Sequence, residues 1–258
     1  MSTTSIALAE SPLLALVLRR ADDALILGHR LSEWCGHAPM LEEDIALANI
    51  ALDCVGQARA LYDYAAQVDG RGLTEDDFAY RREAHQYRNC LLVEQPNGDF
   101  AATIVRQVLF SAFIDPYWRA MMGSADAALA AVAAKAEKET AYHLRHAAEW
   151  LIRLGDGTAE SRARAQAALD DLWPYAGEMF ESDPGEAGLV AAGIAVDPAS
   201  LRPAFDRTIA LVLEEATLTR PTGSGAQSGG RRGRHSEHLG FILADLQYLQ
   251  RAHPGAVW

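Results

Sequence analysis

The stretch KETAYHLRHAAEWLIRLG, Lys138 to Gly155, indicates the fold of this chain. It ends a helical run that begins near Ser124, and Glu139 and His143 lie one turn apart on a face that is otherwise apolar. Long helices with polar groups on an apolar face form the bundles that hold buried metal sites. The stretch therefore predicts a helical bundle and raises the question of whether this bundle binds metal.

Helical patterns extend over the whole chain, whereas the alternation of apolar and polar residues that is typical of strands is almost absent. The predicted long helices are at about 11–36, 41–68, 99–122 and 124–154, and the shorter ones at about 74–92, 161–181, 198–217 and 236–251. Four long helices joined by short turns indicate an antiparallel four-helix bundle with additional C-terminal helices. We expect one all-α domain over 1–258, with a core bundle at about 11–154, extra helices at about 161–252 and a glycine-rich loop at 222–234.

The second long helix has apolar residues at spacings of three and four. They are Leu41, Ile45, Ala48, Leu52 and Val55. Such spacing makes one apolar helical face, so it predicts an amphipathic helix that uses these residues for packing.

The composition limits the partners and the location of the protein. A net charge of -12 and a pI near 5.1 argue against nucleic acid or an anionic membrane as the main partner. The cysteines Cys35, Cys54 and Cys90 are far apart and fall in apolar helical patterns, as buried free thiols of a reducing compartment do. The sequence has neither a secretion signal nor ~20 consecutive apolar residues for a membrane span, and we expect a cytoplasmic protein.

The metal hypothesis can be tested by spacing. Carboxylate-bridged di-iron bundles carry a Glu on each of two helices and a Glu-x-x-His pair on each of the other two. None of the eight histidines of this sequence has a glutamate three residues before it. The third long helix is also deficient, because no glutamate occurs between Glu94 and Glu137. The sequence therefore lacks the standard ligand set.

Polar residues nevertheless occur on the predicted inner faces. They are His29, Glu33 and His37 on the first long helix, Asn49, Asp53 and Gln57 on the second, and Glu139 and His143 on the fourth. One interpretation is that they hydrogen-bond to one another or face solvent, since an unpaired buried polar group costs ~1–3 kcal/mol. A second interpretation is a buried polar pocket for a small ligand. A third is a non-standard metal site made of His29, Glu33, His37, Glu139 and His143.

Five stretches resemble the C subunits of bacterial phenylacetyl-CoA ring epoxidases, the PaaC family. They are RLSEWCGHAP (30–39), LLVEQPNGDFA (91–101), KETAYHLRHAAEWLIRLGDGT (138–158), AVDPASLR (195–202) and GGRRGRHSEHLGFILADLQYLQR (229–251). They occur in the same order as in the family and cover nearly the whole chain beyond about residue 25. The resemblance is therefore far more specific than any single short motif.

The resemblance implies a ferritin-like bundle that has lost its iron ligands and binds a homologous A subunit that retains them. In such a complex the di-iron site belongs to the A subunit, which inserts one oxygen atom of O2 into the aromatic ring of phenylacetyl-CoA. Electrons are implied to come from NADPH through a reductase subunit. This chain is then expected to hold no cofactor of its own. The candidates for remnants of the former metal site are Glu33, Asp53, Gln57, Glu139 and His143.

Three arginines, Arg231, Arg232 and Arg234, lie in the glycine-rich loop of an otherwise acidic chain. Guanidinium groups can bind phosphate bidentately, so the loop is a candidate for contact with the phosphates of CoA. The alternatives are a solvated loop or one that docks on an acidic partner. We interpret the neighbouring HSEHLG (235–240) as a helix start at Ser236 and Glu237 rather than as a metal motif.

The leading interpretation is a non-catalytic structural subunit that stabilises a catalytic di-iron partner and is a candidate for binding the CoA part of the substrate. Two rival hypotheses stay open. One is a self-sufficient ferritin-like oxidase with an atypical metal site, and the other is a helical interaction or storage protein.

Overall fold

The structure is a computed structural model that describes residues 5–223 and 225–256. Its α-helices are α1 (Pro12–Ser32), α2 (Leu41–Asp69), α3 (Glu75–Tyr80), α4 (Leu91–Glu94), α5 (Phe100–Met121), α6 (Ala127–Gly155), α7 (Ala159–Ala176), α8 (Ala187–Ala191), α9 (Arg202–Glu215) and α10 (Glu237–Ala252). Short 3₁₀ turns lie at Ala84–Gln86, Gly177–Phe180, Pro184–Glu186, Pro198–Leu201 and Gly230–Arg232. No strand occurs in these ranges, and the predicted all-α, ferritin-like bundle with additional C-terminal helices is confirmed.

The bundle consists of two helix pairs, α1 with α2 and α5 with α6, and α2 also lies beside α6. Short connections make the members of each pair antiparallel. Ser11 caps α1, Asp99 caps α5 and Asp126 caps α6, each by accepting hydrogen bonds from backbone amides of the first turn. Local chemistry therefore sets the start of three of the four bundle helices.

Helix α5 is buried on nearly all sides, because α6, α7 and α9 pack around it. Its sequence is accordingly apolar around the whole circumference, with Ile104, Phe113 and Trp118 among the buried side chains. One cluster of buried side chains extends from Leu14 in α1 to Leu243 in α10. The C-terminal helices thus share a core with the bundle: α7 and α9 cover it on the α5 side, and α10 packs against α3 and α4.

Helix α2 does not pack through the apolar face that its sequence pattern suggested. Leu41, Ile45, Leu52 and Val55 are exposed, by 72%, 53%, 68% and 41% respectively. The buried residues of α2 form a second apolar row with the same spacing. They are Leu47, Ile50, Cys54, Ala58 and Leu61. Because α2 is apolar on two faces, its periodicity alone could not identify the one that enters the core.

Helix α3 begins at the predicted capping box, in which Thr74 and Asp77 bond to each other's backbone amides. The helix ends at Tyr80, however, instead of continuing toward Leu92. Beyond it the chain turns so that Arg82 pairs with a residue of α1, which is a tertiary contact that periodicity does not encode.

The three cysteines are unpaired, but only Cys54 and Cys90 are buried. Burial raises the pKa of both thiols. The expectation is wrong for Cys35, which is exposed because α1 ends at Ser32 and the chain enters a turn. Within the described ranges, no helix combines the length and the apolar character that crossing a bilayer requires.

Candidate functional site

Two pairs of polar side chains connect α2 to α6. His143 Nε2 lies 3.0 Å from Asp53 Oδ2, and Gln57 Nε2 donates a hydrogen bond to Glu139 Oε2 at 2.9 Å. The two α2 residues are four positions apart, as are the two α6 residues, so each helix presents its pair on one face. We call these four residues the seam cluster. Their mutual pairing matches the first interpretation of the polar residues.

The seam cluster is buried on one side only. His143 and Gln57 are buried, whereas the side chain of Asp53 is 36% exposed and that of Glu139 is 17% exposed. Lys135 Nζ lies 3.6 Å from Glu139 Oε1. Both carboxylates therefore combine one partner from the neighbouring helix with access to solvent.

Next to the seam cluster, the four bundle helices leave a void of about 10 Å³. Its polar lining includes Arg20, Gln57, Trp118, Thr140 and His143. A void needs ~10–15 Å³ to hold one water molecule. The space is therefore too small for a substrate or for any ligand larger than water.

The other candidate residues lie at the C-terminal end of α1. Glu33 follows the last residue of α1 and accepts hydrogen bonds from Arg30 Nη1 at 2.9 Å and from Asn97 Nδ2 at 2.8 Å. His29 is partly buried, and burial lowers its pKa although the Glu33 carboxylate opposes the change. His37 is exposed in the turn after α1.

The structure does not assemble the hypothetical non-standard metal site. Glu33 bonds to Arg30 and Asn97 near the end of α1, while Glu139 bonds to Gln57 across the seam. In the part of the chain that the structure describes, no group of three or more His, Cys, Asp or Glu side chains is placed to hold a metal ion. The physical reason is that Glu33 and His37 belong to a turn and not to an inward helical face.

The glycine-rich loop is held against the bundle at its C-terminal half, and its Ser224 lies outside the described residues. The amides of Gly229 and Arg231 both donate hydrogen bonds to Glu178 Oε1. The Arg231 residue is 6% exposed, and its guanidinium pairs with Asp23 Oδ1 at 2.8 Å. The structure therefore corrects the expected role of Arg231 in binding CoA, because its guanidinium is already enclosed and paired.

Arg232 and Arg234 differ from Arg231 because both are exposed. Arg232 Nη1 lies 3.3 Å from Glu181 Oε2, and its Nη2 donates a hydrogen bond to Ser228 Oγ at 3.1 Å. These two arginines remain accessible to a phosphate group, so the predicted CoA contact now depends on them alone.

The stretch HSEHLG begins a helix as expected, with Ser236 at the N-cap position of α10. The Ser236 side chain makes no capping hydrogen bond. Instead, the buried Glu94 accepts a hydrogen bond from the Ser236 amide at 2.6 Å, and His235 Nδ1 lies 2.9 Å from the same carboxylate. These contacts attach the start of α10 to α4.

A larger set of buried charges lies in α1, in a stretch whose sequence matches none of the predicted sites. The stretch RRADD, Arg19 to Asp23, is buried although four of its five residues are charged. Asp22 Oδ2 lies 3.0 Å from Arg82 Nη1, and Asp22 Oδ1 accepts a hydrogen bond from the Tyr62 hydroxyl at 2.6 Å. We call the interacting set the α1 network. Its members are Arg20, Asp22, Asp23, Arg82 and Arg231.

Asp23 connects three segments of the chain. It accepts a hydrogen bond from the Cys90 amide at 2.8 Å and pairs with Arg231 at 2.8 Å and with Arg20 at 3.1 Å. Buried carboxylates require this degree of compensation, because an unpaired buried charge is strongly unfavourable. The α1 network therefore fixes the C-terminal loop and the segment before α4 to the bundle.

One sequence signal could have revealed the α1 network. Four charges within five residues span roughly 160° of the helix circumference, and Leu16, Ile26 and Leu27 lie on the same side one turn away, so burial of some of the charges is indicated. The partners were not predictable in the same way, because Arg82 and Arg231 are 60 and 208 residues away from the carboxylates that they bind.

Comparisons with known proteins identify relatives of the chain. A family model described as phenylacetic acid catabolic protein matches residues 1–258. The C subunit of the 1,2-phenylacetyl-CoA epoxidase of Escherichia coli (strain K12) is 48% identical over 246 residues, which are 95% of this chain and 99% of that protein. The similarity thus extends over almost the full length of both chains.

Proposed function

The chain belongs to the family of phenylacetic acid catabolic proteins, as its sequence resemblance indicated, and on this premise we propose that it is a non-catalytic structural subunit of a phenylacetyl-CoA ring epoxidase. In this proposal it stabilises a homologous catalytic A subunit, which holds the di-iron site. The catalytic subunit inserts one oxygen atom of O2 into the aromatic ring, and a reductase component supplies electrons from NADPH.

The pairing of the polar residues between α2 and α6 carries the proposal. A di-iron bundle needs carboxylate and imidazole ligands that converge on one point. In this chain Asp53 is paired with His143 and Glu139 with Gln57, and the adjacent void has space for one water molecule. These residues do not fit a di-iron centre, so the proposal assigns oxygen chemistry to the partner.

Two further parts of the proposal concern location and substrate. We place the complex in the cytoplasm, in keeping with unpaired cysteines and an acidic chain. Arg232 and Arg234 are the proposed contacts to CoA phosphates, since both guanidinium groups are exposed.

Co-expression with the homologous catalytic subunit tests the proposed role. The isolated chain should contain no stoichiometric iron and should not epoxidise phenylacetyl-CoA. The purified complex should turn over this substrate when reductase, NADPH and O2 are supplied. Glu139→Gln and His143→Gln should leave the iron content of the complex unchanged, because neither side chain is a ligand in this proposal.

Two results would favour the rival hypotheses. Stoichiometric iron in the isolated chain, lost on Glu139→Ala, would support a ferritin-like oxidase with an atypical site. Separate elution of the co-expressed chains at micromolar concentration would instead support a free-standing helical interaction or storage protein.

A further inference from the structure

The void at the centre of the bundle is bounded by all four bundle helices. Its polar lining comes from Arg20 of α1, Gln57 of α2, Trp118 of α5, and Thr140 and His143 of α6. Its volume, about 10 Å³, is at the lower end of the ~10–15 Å³ that one water molecule needs. Voids with polar linings of this kind hold water, whereas empty voids in proteins are apolar. We call this space the central void.

The indole of Trp118 supplies a hydrogen-bond donor to this space. The residue is 1% exposed, and its Nε1 has no hydrogen-bond partner in the part of the chain that the structure describes. A buried indole N–H usually finds a partner, because leaving a buried donor unpaired costs ~1–3 kcal/mol. Since Trp118 lines the central void, a water molecule there can accept this hydrogen bond.

His143 and Gln57 supply the matching acceptors. Because a carboxylate only accepts, the contact with Asp53 places the hydrogen of the neutral imidazole on His143 Nε2, and Nδ1 keeps its lone pair. Gln57 donates through Nε2 to Glu139, which leaves its Oε1 as an acceptor. Both residues line the central void, so a water molecule that accepts from Trp118 can donate one hydrogen to each.

We infer that the central void binds one ordered water molecule, which accepts a hydrogen bond from Trp118 Nε1 and donates to His143 Nδ1 and Gln57 Oε1. Three hydrogen bonds are typical of a buried water molecule. This water connects α5 to the seam cluster, whose side-chain contacts join α2 to α6. The second interpretation of the inward polar residues, a pocket for a small ligand, thereby gains a specific occupant.

Other occupants fit the central void less well. A small anion needs a cation, but the Arg20 guanidinium in the lining already pairs with Asp23 Oδ2 at 3.1 Å. A metal ion needs several carboxylate, imidazole or thiolate ligands. Among the described residues of the lining, only His143 and Cys54 are of these types. Burial raises the pKa of the Cys54 thiol, so this group is not available as a thiolate.

A crystal structure of the whole chain is the direct test, since the site lies within one chain and needs no partner. One water peak is expected ~2.7–3.2 Å from Trp118 Nε1 and within hydrogen-bond distance of His143 Nδ1 and Gln57 Oε1. An empty void would overturn the inference. Anomalous scattering from a metal or a halide ion in the void would do the same.

Nuclear magnetic resonance tests the same water molecule in solution. The indole proton of Trp118 should show cross-peaks to water with opposite signs in nuclear Overhauser and rotating-frame spectra, because the water is held for longer than the tumbling time. Direct proton exchange with solvent gives equal signs instead, so equal signs or no cross-peak would contradict a bound water. The chain has five tryptophans, and Trp118→Phe identifies the signal by its disappearance. If this variant does not fold, sequential assignment of the wild type replaces it.

Two substitutions in the lining distinguish a bound water molecule from other sources of the signal. Ala24→Val adds two methyl groups to a residue that lines the void, so it should displace the water and abolish the Trp118 cross-peak. Thr140→Val is the matched control, because Thr140 Oγ1 donates to the Ala136 carbonyl of its own helix at 3.0 Å. This variant also removes a hydroxyl that could relay exchange from solvent, and the cross-peak should persist.

Circular dichroism and thermal unfolding establish that each variant folds. Cys54→Val, which changes the volume of the lining less, replaces Ala24→Val if that variant does not fold. A cross-peak that persists in the folded void-filling variant would show that the signal does not come from this void. Loss of the cross-peak in Thr140→Val would show that the partners of the water are assigned wrongly. Either result would overturn the inferred site.

Discussion

The seam cluster joins two neighbouring helices and stays open to solvent on one side, where the Asp53 side chain is 36% exposed. The α1 network joins α1 to segments up to 208 residues away, and its Asp22, Asp23 and Arg82 are at most 1% exposed. The residues whose spacing suggests a metal site, such as Glu139 and His143, therefore belong to the seam cluster, which is the more exposed of the two sets. The α1 network is more deeply buried. Its residues do not have the spacing of a known catalytic motif, and they connect distant segments of the chain.

Burial decides how strongly each set contributes to stability. Exposed ion pairs contribute ~0–1 kcal/mol, whereas removing one partner of a buried pair costs ~3–5 kcal/mol. Substitutions in the α1 network should therefore cost more stability than matched substitutions in the seam cluster.

Asp22→Ala should cause the largest loss, ~3–5 kcal/mol in the free energy of unfolding, because Arg82 would remain buried without its carboxylate. Burial lowers the pKa of Arg82 and the Asp22 carboxylate raises it, with a net increase. Urea unfolding followed by circular dichroism measures the effect. Adding Arg82→Met to this variant should recover part of the loss, and a double variant no more stable than the single one would contradict the explanation.

Arg231→Met should lower the free energy of unfolding by about 3 kcal/mol, because the buried Asp23 carboxylate loses one of its two arginine partners. Arg232→Met is the matched control one residue away. It should cost less than ~1 kcal/mol, since the Arg232 side chain is 58% exposed and its partner Glu181 is 36% exposed. The same unfolding experiment compares the two variants. Equal losses of stability would show that the buried Arg231 contributes no more to stability than the exposed Arg232.

Asp53→Asn should lower the free energy of unfolding by about 1 kcal/mol or less, since the amide can still bond to His143 and the site is partly solvated. Asp23→Asn makes the same chemical change in the α1 network and should cost several times more. Thermal unfolding of the two variants in parallel tests the comparison directly. If Asp53→Asn lowers stability as much as Asp23→Asn does, the seam cluster contributes as much to stability as the α1 network and the comparison is wrong.

His29 should give the smallest effect, a dependence of stability on pH. Burial lowers its pKa below the ordinary value of 6.5, although Glu33 opposes the change, so the folded chain binds this proton less readily than the unfolded chain. The stability that depends on neutral His29 is fully present above pH 6.5 and is lost as the pH falls from 6.5 through the pKa of His29 in the folded state. His29→Gln should flatten the pH profile of unfolding in this range, whereas His37→Gln, which changes an exposed histidine, should not. Identical profiles for wild type and His29→Gln would exclude this linkage.

Local features of the fold were predictable from the sequence because they depend on neighbours in the chain. The starts at Ser11 and at the Thr74 capping box follow from residue preferences and were found in the structure. The buried face of α2 was not predictable, since Leu52 and Cys54 belong to two apolar rows of equal spacing. Only the positions of α1 and α6 select one of them.

The candidate site shows the same division. The lack of a Glu-x-x-His pair can be read directly from the spacing of each histidine. The burial of Arg231 could not be predicted from the sequence, because Glu178 and Asp23 bind the loop from distant parts of the chain. An arginine in a glycine-rich stretch is equally compatible with solvent, with phosphate and with a buried carboxylate.

By itself, the sequence determined the all-α class, the family and the lack of a standard di-iron ligand set. These follow from helical periodicity, from similarity along the chain and from fixed residue spacings, all of which are properties of the linear order. Tertiary structure alone decided which apolar face of α2 is buried, which arginine is enclosed and which polar residues meet across the seam. The free energy of burying each group depends on partners that folding brings from elsewhere in the chain, and periodicity contains no information about those partners.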